Sequence, residues 1–147
     1  MTPNNKIIED FNDMKDCAYG GNQGFSRPHM DFKFISRPDE TSAMAIRSAP
    51  DREHFGGKVL AVMGGKLKIS LNTAVSAISF RFINAGNGFK AYFYDENNQE
   101  LGQKDEEAQG DGTTLKELKF EHPGIYHIHI IEPNGTIMFF DNIEATS

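Results

Sequence analysis

The chain has 147 residues, enough for one domain with a real core. Apolar residues make up 38% and charged residues 24%, a balance that excludes a disordered chain. The net charge of -6, with no basic stripe, excludes an ordinary nucleic-acid binder, and an acidic surface disfavours polyanions except at local basic spots.

No apolar run approaches the roughly 18 residues of a membrane helix, so no membrane insertion is expected. The opening Met1-Thr2-Pro3-Asn4-Asn5-Lys6 lacks the apolar stretch of a signal peptide. The expectation is a cytosolic protein, or one whose leader or parent chain lies elsewhere. Cys17 is the only cysteine, which excludes an internal disulfide; a lone thiol of this kind is expected to serve as a small buried apolar residue.

Apolar residues recur mostly at every second position, the period of a half-buried strand. Taken in chain order, this spacing predicts strands at Lys6–Phe11, Asp31–Ser36, Ala43–Ser48, Val59–Met63 and Lys66–Leu71. It predicts others at Val75–Asn84, Phe89–Asp95, Thr114–Phe120, Ile125–Glu132 and Ile137–Ala145. Asn12–Met30 has no clear period and reads as a long loop of the kind that often carries function. Turn residues separate the strands at Arg37-Pro38-Asp39-Glu40, Gly64-Gly65, His122-Pro123-Gly124 and Pro133-Asn134-Gly135. Ala85-Gly86-Asn87-Gly88 reads as a hairpin turn joining Val75–Asn84 to Phe89–Asp95, and Asp95-Glu96-Asn97-Asn98 as the next turn. Ile78, Phe80 and Phe82 point to the core, as do Phe89, Ala91 and Phe93. Lys104–Gln109 could form one helical turn, which Gly110-Asp111-Gly112 would stop. About ten short strands with no repeat and no linker predict a single all-β domain over residues 1–147, an antiparallel β-sandwich or barrel.

Ile137-Met138-Phe139-Phe140-Asp141-Asn142-Ile143-Glu144 resembles the closing strand of jelly-roll carbohydrate-binding modules and galactose-binding-like domains. Ile7-Ile8-Glu9-Asp10-Phe11 resembles their opening strand, where an acid precedes an aromatic. Thr73–Phe80 and the Tyr94–Gly102 hairpin resemble internal strands of bacterial extracellular sandwich domains. The resemblance spans about residues 6–145 and implies a jelly-roll sandwich with an extracellular or cell-surface setting. It also implies a structural calcium ion, held by Glu9 or Asp10 with Asp141 and by backbone carbonyls of the Asn12–Gly24 loop, with Asp13 and Asp16 as spare carboxylates. Chemistry agrees to this extent: carboxylates brought together repel unless a cation neutralises them.

Ligand candidates follow from the alternation. If Tyr126, Ile128 and Ile130 face the core, His127 and His129 share the opposite face. Arg81, Lys90, Tyr92 and Tyr94 lie on the outward side of the Val75–Asp95 hairpin. Were these strands neighbours, Arg81, Tyr92, Tyr94, His127 and His129 would form one surface suited to sugars. Aromatic faces stack on C–H groups, while Arg and His hydrogen-bond hydroxyls. Plain cross-strand pairing is the competing account of the same residues.

The His127-x-His129 pair with Glu132 loosely resembles a cupin metal motif, although the Glu spacing is short, no second motif follows and only His122 lies nearby. Arg27, His29, Arg52 and His54 are loop candidates for a sugar site at the sandwich edge. Asn134-Gly135-Thr136 matches a glycosylation sequon, yet Asn-Gly is first a hairpin signal. No Gly-x-Ser-x-Gly, P-loop or His-Glu-x-x-His is present.

The expected function is non-catalytic glycan binding, in a module of a larger chain or oligomer. The alternatives are a structural or adhesive module of a surface protein or toxin with no small ligand, and a cupin-type metalloenzyme.

Overall fold

The structure, a computed structural model, describes residues 6–20, 22–35, 43–48, 57–84, 88–106, 116–131 and 137–147. Among these there is no helix, and eleven strands form: β1 (Lys6–Glu9), β2 (Cys17–Tyr19), β3 (Gly24–Ser26), β4 (Met30–Ile35), β5 (Ala43–Ser48), β6 (Lys58–Met63), β7 (Lys66–Asn84), β8 (Phe89–Tyr94), β9 (Glu100–Glu106), β10 (Lys116–Ile131) and β11 (Ile137–Thr146). All pair antiparallel.

Two long strands organise the rest. The first part of β7, Lys66–Leu71, pairs with β4 on one side and with the end of β10 on the other. The second part, Ala77–Asn84, pairs with β11 and with the start of β10. One layer therefore runs β3-β4-β7-β10-β8-β9. The other runs β2-β5-β6-β11-β7-β10, with β1 added to the far end of β11. β7 and β10 belong to both layers. Period-two apolar spacing requires this layering, since each strand has one face to hide. Phe32, Phe34, Phe80, Phe82, Phe93 and Phe140 are fully buried in a single cluster between the layers.

Most predicted strands are present, and four details differ. Val75–Asn84 and Phe89–Asp95 are not a hairpin, because β10 lies between β7 and β8. At its end β7 has both edges taken by β10 and β11, so the chain must cross to the other layer before β8 can pair. His122-Pro123-Gly124 is not a turn between strands. It lies within β10 at a register irregularity, where Gly124 adopts φ 83°. The expected loop Asn12–Met30 contains β2 and β3. Of the expected helical turn, Lys104–Glu106 is instead the end of β9; the remainder lies outside the described residues, as do the turns at Arg37–Glu40 and Pro133–Gly135.

The Gly64-Gly65 link carries the chain from β6 in one layer to β7 in the other. Gly65 has φ 73°, and a Cβ there would lie 2.5 Å from the Ile35 carbonyl oxygen. Only glycine meets both demands.

Candidate functional site

On the outward face of the first layer, β10 lies directly beside β8, so His127 stands opposite Tyr94 and His129 opposite Tyr92. All four side chains are half-buried, and the Tyr94 and His129 rings lie 4.5 Å apart. The neighbourhood of strands on which the sugar surface depended is therefore present for these four residues.

Alternation within β10 differs in one place. An irregularity between Ile125 and His127 puts Ile125, rather than Tyr126, in the core with Ile128 and Ile130. Tyr126 is half-buried, edge-on to His127 at 4.7 Å. His127 Nδ1 and Ser70 Oγ share a hydrogen bond of 3.0 Å across the β10–β7 pair.

Burial, aided by Lys66, Lys68 and His127, pushes the His129 imidazole down to about 4. Burial, with Lys68, lowers His127 as well, partly opposed by Asp95. Both rings are thus neutral near pH 7, and each can donate and accept a hydrogen bond. Burial raises the Tyr94 phenol, which stays protonated.

Arg81 does not join this surface. It lies in the second part of β7, opposite Glu117 and Asp141 in the other layer. There it lines a small recess of about 30 Å³ with Asn142 and Glu144. A shallow depression of about 310 Å³ adjoins it, lined by Lys6, Ser79, Glu117, Lys119 and Glu144 among others, with no aromatic ring. These two recesses lie on one layer and the stacking groups on the other. Rings and neutral donors are the more specific signature of sugar recognition.

β1 pairs with β11, so the opening and closing strands meet, with Glu9 opposite Ile143. Glu9 and Asp141 are buried at 6% and 2% exposure. Both Glu9 oxygens are engaged: Arg27 Nε donates to Oε1 at 2.8 Å and the Phe11 amide donates to Oε2 at 2.9 Å. Asp10 accepts from the Asn12 amide, and Asp141 from the Asn142 amide. Asp13 pairs with Arg27, and Asp16 with Lys58. Among the described residues, no group of three or more Asp, Glu, His or Cys side chains is placed to hold a metal. The three carboxylates do lie near one another, since both Asp10 and Glu9 act on Asp141; the six to eight oxygens of a calcium ion would be completed there by backbone carbonyls of the Asn12–Gly24 loop. The positive charge beside Glu9 is a guanidinium, and the bond to Glu9 raises the pKa of Arg27 itself.

The same observation bears on the cupin reading. His127 and His129 share a face, but no third ligand joins them among the described residues. His122 stacks near Phe120 and bonds the Pro123 carbonyl, and Glu132 lies outside the described residues.

The loop candidates divide. Arg27 is the structural partner of Glu9, and His29 is exposed. Arg52 and His54 lie outside the described residues. Phe25 stacks on Phe32 at 4.8 Å, so it has a core duty that the sequence pattern conceals. Cys17 is exposed rather than buried, its thiol 3.1 Å from the Tyr19 hydroxyl at the β2 edge.

Burial, with Asp10 and Glu9 nearby, raises the Asp141 carboxyl to about 6, partly offset by the Asn142 amide and Arg81. The folded chain then holds a proton that the unfolded chain releases near pH 4, so stability falls as pH rises from about 4 to 6. Asp141→Asn, which keeps the acceptor, is expected to raise unfolding free energy by about 2–3 kcal/mol at pH 8 and little at pH 4. Urea titrations at the two pH values measure this. An equal effect at both would refute it.

No protein-family model and no curated protein matches the chain by sequence. Solved structures do. The family 29 carbohydrate-binding module CBM29_1 from Piromyces equi superposes with TM-score 0.59 at 9% identity, covering 99% of this chain and 91% of that one. A point mutant of CBM29-2, made to probe ligand recognition, gives TM-score 0.58 at 8% identity, with 98% and 92% covered. The K1 cleaved adhesin domain of Lys-gingipain from Porphyromonas gingivalis W83 gives 0.57 at 11%, with 96% and 97% covered. The chain has the jelly-roll β-sandwich fold of these carbohydrate-binding modules.

Proposed function

We propose that this protein is a non-catalytic glycan-binding module whose site is the outward face of β8 and β10. One observation carries the reading: the β8–β10 register sets Tyr92 and Tyr94 beside His129 and His127. Tyrosine rings offer apolar faces to sugar C–H groups, and neutral imidazoles bond hydroxyls without the desolvation cost of a charge. The groups sit on paired strands, so little ordering entropy is lost on binding. The structure of a CBM29-2 mutant complexed with mannohexaose, TM-score 0.55, supports the reading, since there a domain of this fold holds an oligosaccharide. An extracellular or cell-surface setting follows from the same reading.

Glycan-array screening followed by calorimetry tests it. Tyr92→Ala and Tyr94→Ala are each expected to weaken binding of the best glycan by at least about tenfold, the loss of one stacked ring, while leaving the circular dichroism spectrum unchanged. Unchanged affinity in both variants would overturn the site.

The adhesin likeness favours a second reading, adhesion to a protein surface with no small ligand. That reading predicts an array without hits.

A further inference from the structure

Resting on the glycan-binding reading, we propose that the natural ligand is an acidic polysaccharide, its anionic groups held by the row Lys33, Lys66 and Lys68 beside the Tyr–His surface.

The row is built by register. Lys33 on β4 stands directly opposite Lys68 on β7, and Lys68 directly opposite His129 on β10, which in turn faces Tyr92 on β8. Lys66 stands one step along the same face, opposite Ile35 and Ile131, and Lys90 lies across Ile131 from it. A line of cations thus runs into the stacking surface without a break.

Three features separate this row from ordinary solvated lysines. First, like charges directly opposite on paired strands destabilise the pair, so Lys33 against Lys68 costs stability. Second, the ion pairs among the described residues employ Lys6, Lys58, Lys119 and Arg27, and within that set none of the four lysines here has a carboxylate partner. Third, the concentration of cations occurs in a chain of net charge -6. The carboxylates of this face stand toward its margins. Asp31 is opposite Ser70, while Glu100 and Asp105 lie on the edge strand opposite Tyr94 and Lys90.

A chain of uronates or sulfated sugars fits both halves of the surface. Its rings meet the tyrosines and its charges meet the ammonium groups, which as compact point charges suit either carboxylate or sulfate. The acidic remainder of the surface steers other polyanions away. An acidic chain leaves room for a local basic spot of this kind.

The test is calorimetric titration with polygalacturonate (carboxylate), chondroitin sulfate (sulfate), neutral mannohexaose and single-stranded DNA, each at about 50 and about 300 mM NaCl, a range over which screening grows strongly. At least one acidic polysaccharide is expected to bind about ten times more tightly than mannohexaose and to lose at least about threefold in affinity at the higher salt. Lys68→Gln is expected to weaken that binding by about three- to tenfold and flatten its salt response, with a melting temperature no lower than wild type because the opposed charge is gone. Equal binding of mannohexaose, with no salt response, overturns the acidic ligand and leaves the Tyr–His site standing. DNA bound as tightly as the polysaccharides also overturns it, as indiscriminate polyanion binding. A glycan array and titrations with no sugar bound remove both readings.

Discussion

Arg27→Ala is expected to lower the free energy of unfolding by about 3–5 kcal/mol, the cost of leaving a buried carboxylate without its counter-charge. Glu9 is enclosed where β1 meets β11, and Arg27 at 15% exposure is its cationic partner. The second partner of Arg27, Asp13, is mostly exposed and contributes little. Urea unfolding of the single variant and of the double variant Arg27→Met with Glu9→Leu separates the terms. The double variant is expected to recover most of the loss, because it removes the stranded charge as well as the bond. Arg27 already supplies a positive charge beside Glu9, one of the residues to which the resemblance gives calcium. The melting temperature of the wild type is therefore expected to be the same with millimolar calcium and with chelator. A rise of several degrees with calcium would overturn this expectation and support a bound ion.

Phe80→Ala is expected to cost about 3–5 kcal/mol by cavity formation. Phe80 is 1% exposed in the second part of β7. Its ring lies edge-on to Phe140 of β11 at 5.4 Å and within 6.4 Å of Phe82 and Phe89. These rings come from β7, β8 and β11, which between them draw on both layers, so no local adjustment refills the space. Thermal and chemical denaturation measure the loss. A cost below about 1 kcal/mol would mean that the layers close around the gap.

Phe80 also shows what the sequence makes legible. Alternation over Ile78, Phe80 and Phe82 needs no tertiary information, since a strand with one buried face must be written that way. The Asp95 turn is equally readable. Its carboxylate accepts from the Asn97 and Gln99 amides, and Asn98 takes φ 64°, which is local chemistry. Strand order is not readable, and the site depends on it. Nothing near Asn84 or Phe89 says that β10, much later in the chain, will occupy the place between β7 and β8. The same fact explains why Arg81 is placed away from Tyr92 while the histidines are placed beside it. β2 and β3, only three residues each, are too short for a period to show, and Phe25 is held by Phe32 rather than by a pattern of its own. The role of Arg27 becomes visible only with the burial of Glu9, which sequence does not disclose.

The sharing of β7 and β10 between the layers has a mechanical consequence. In a stack of separate sheets, a pull on one layer can slide it off the other by breaking side-chain contacts alone. Here sliding would have to bend two continuous backbones, and each carries hydrogen bonds on both sides of the bend. Tension applied to the β8–β10 face would pass through the peptide chain itself into the opposite layer. The domain should therefore yield in one abrupt event rather than by shedding a face.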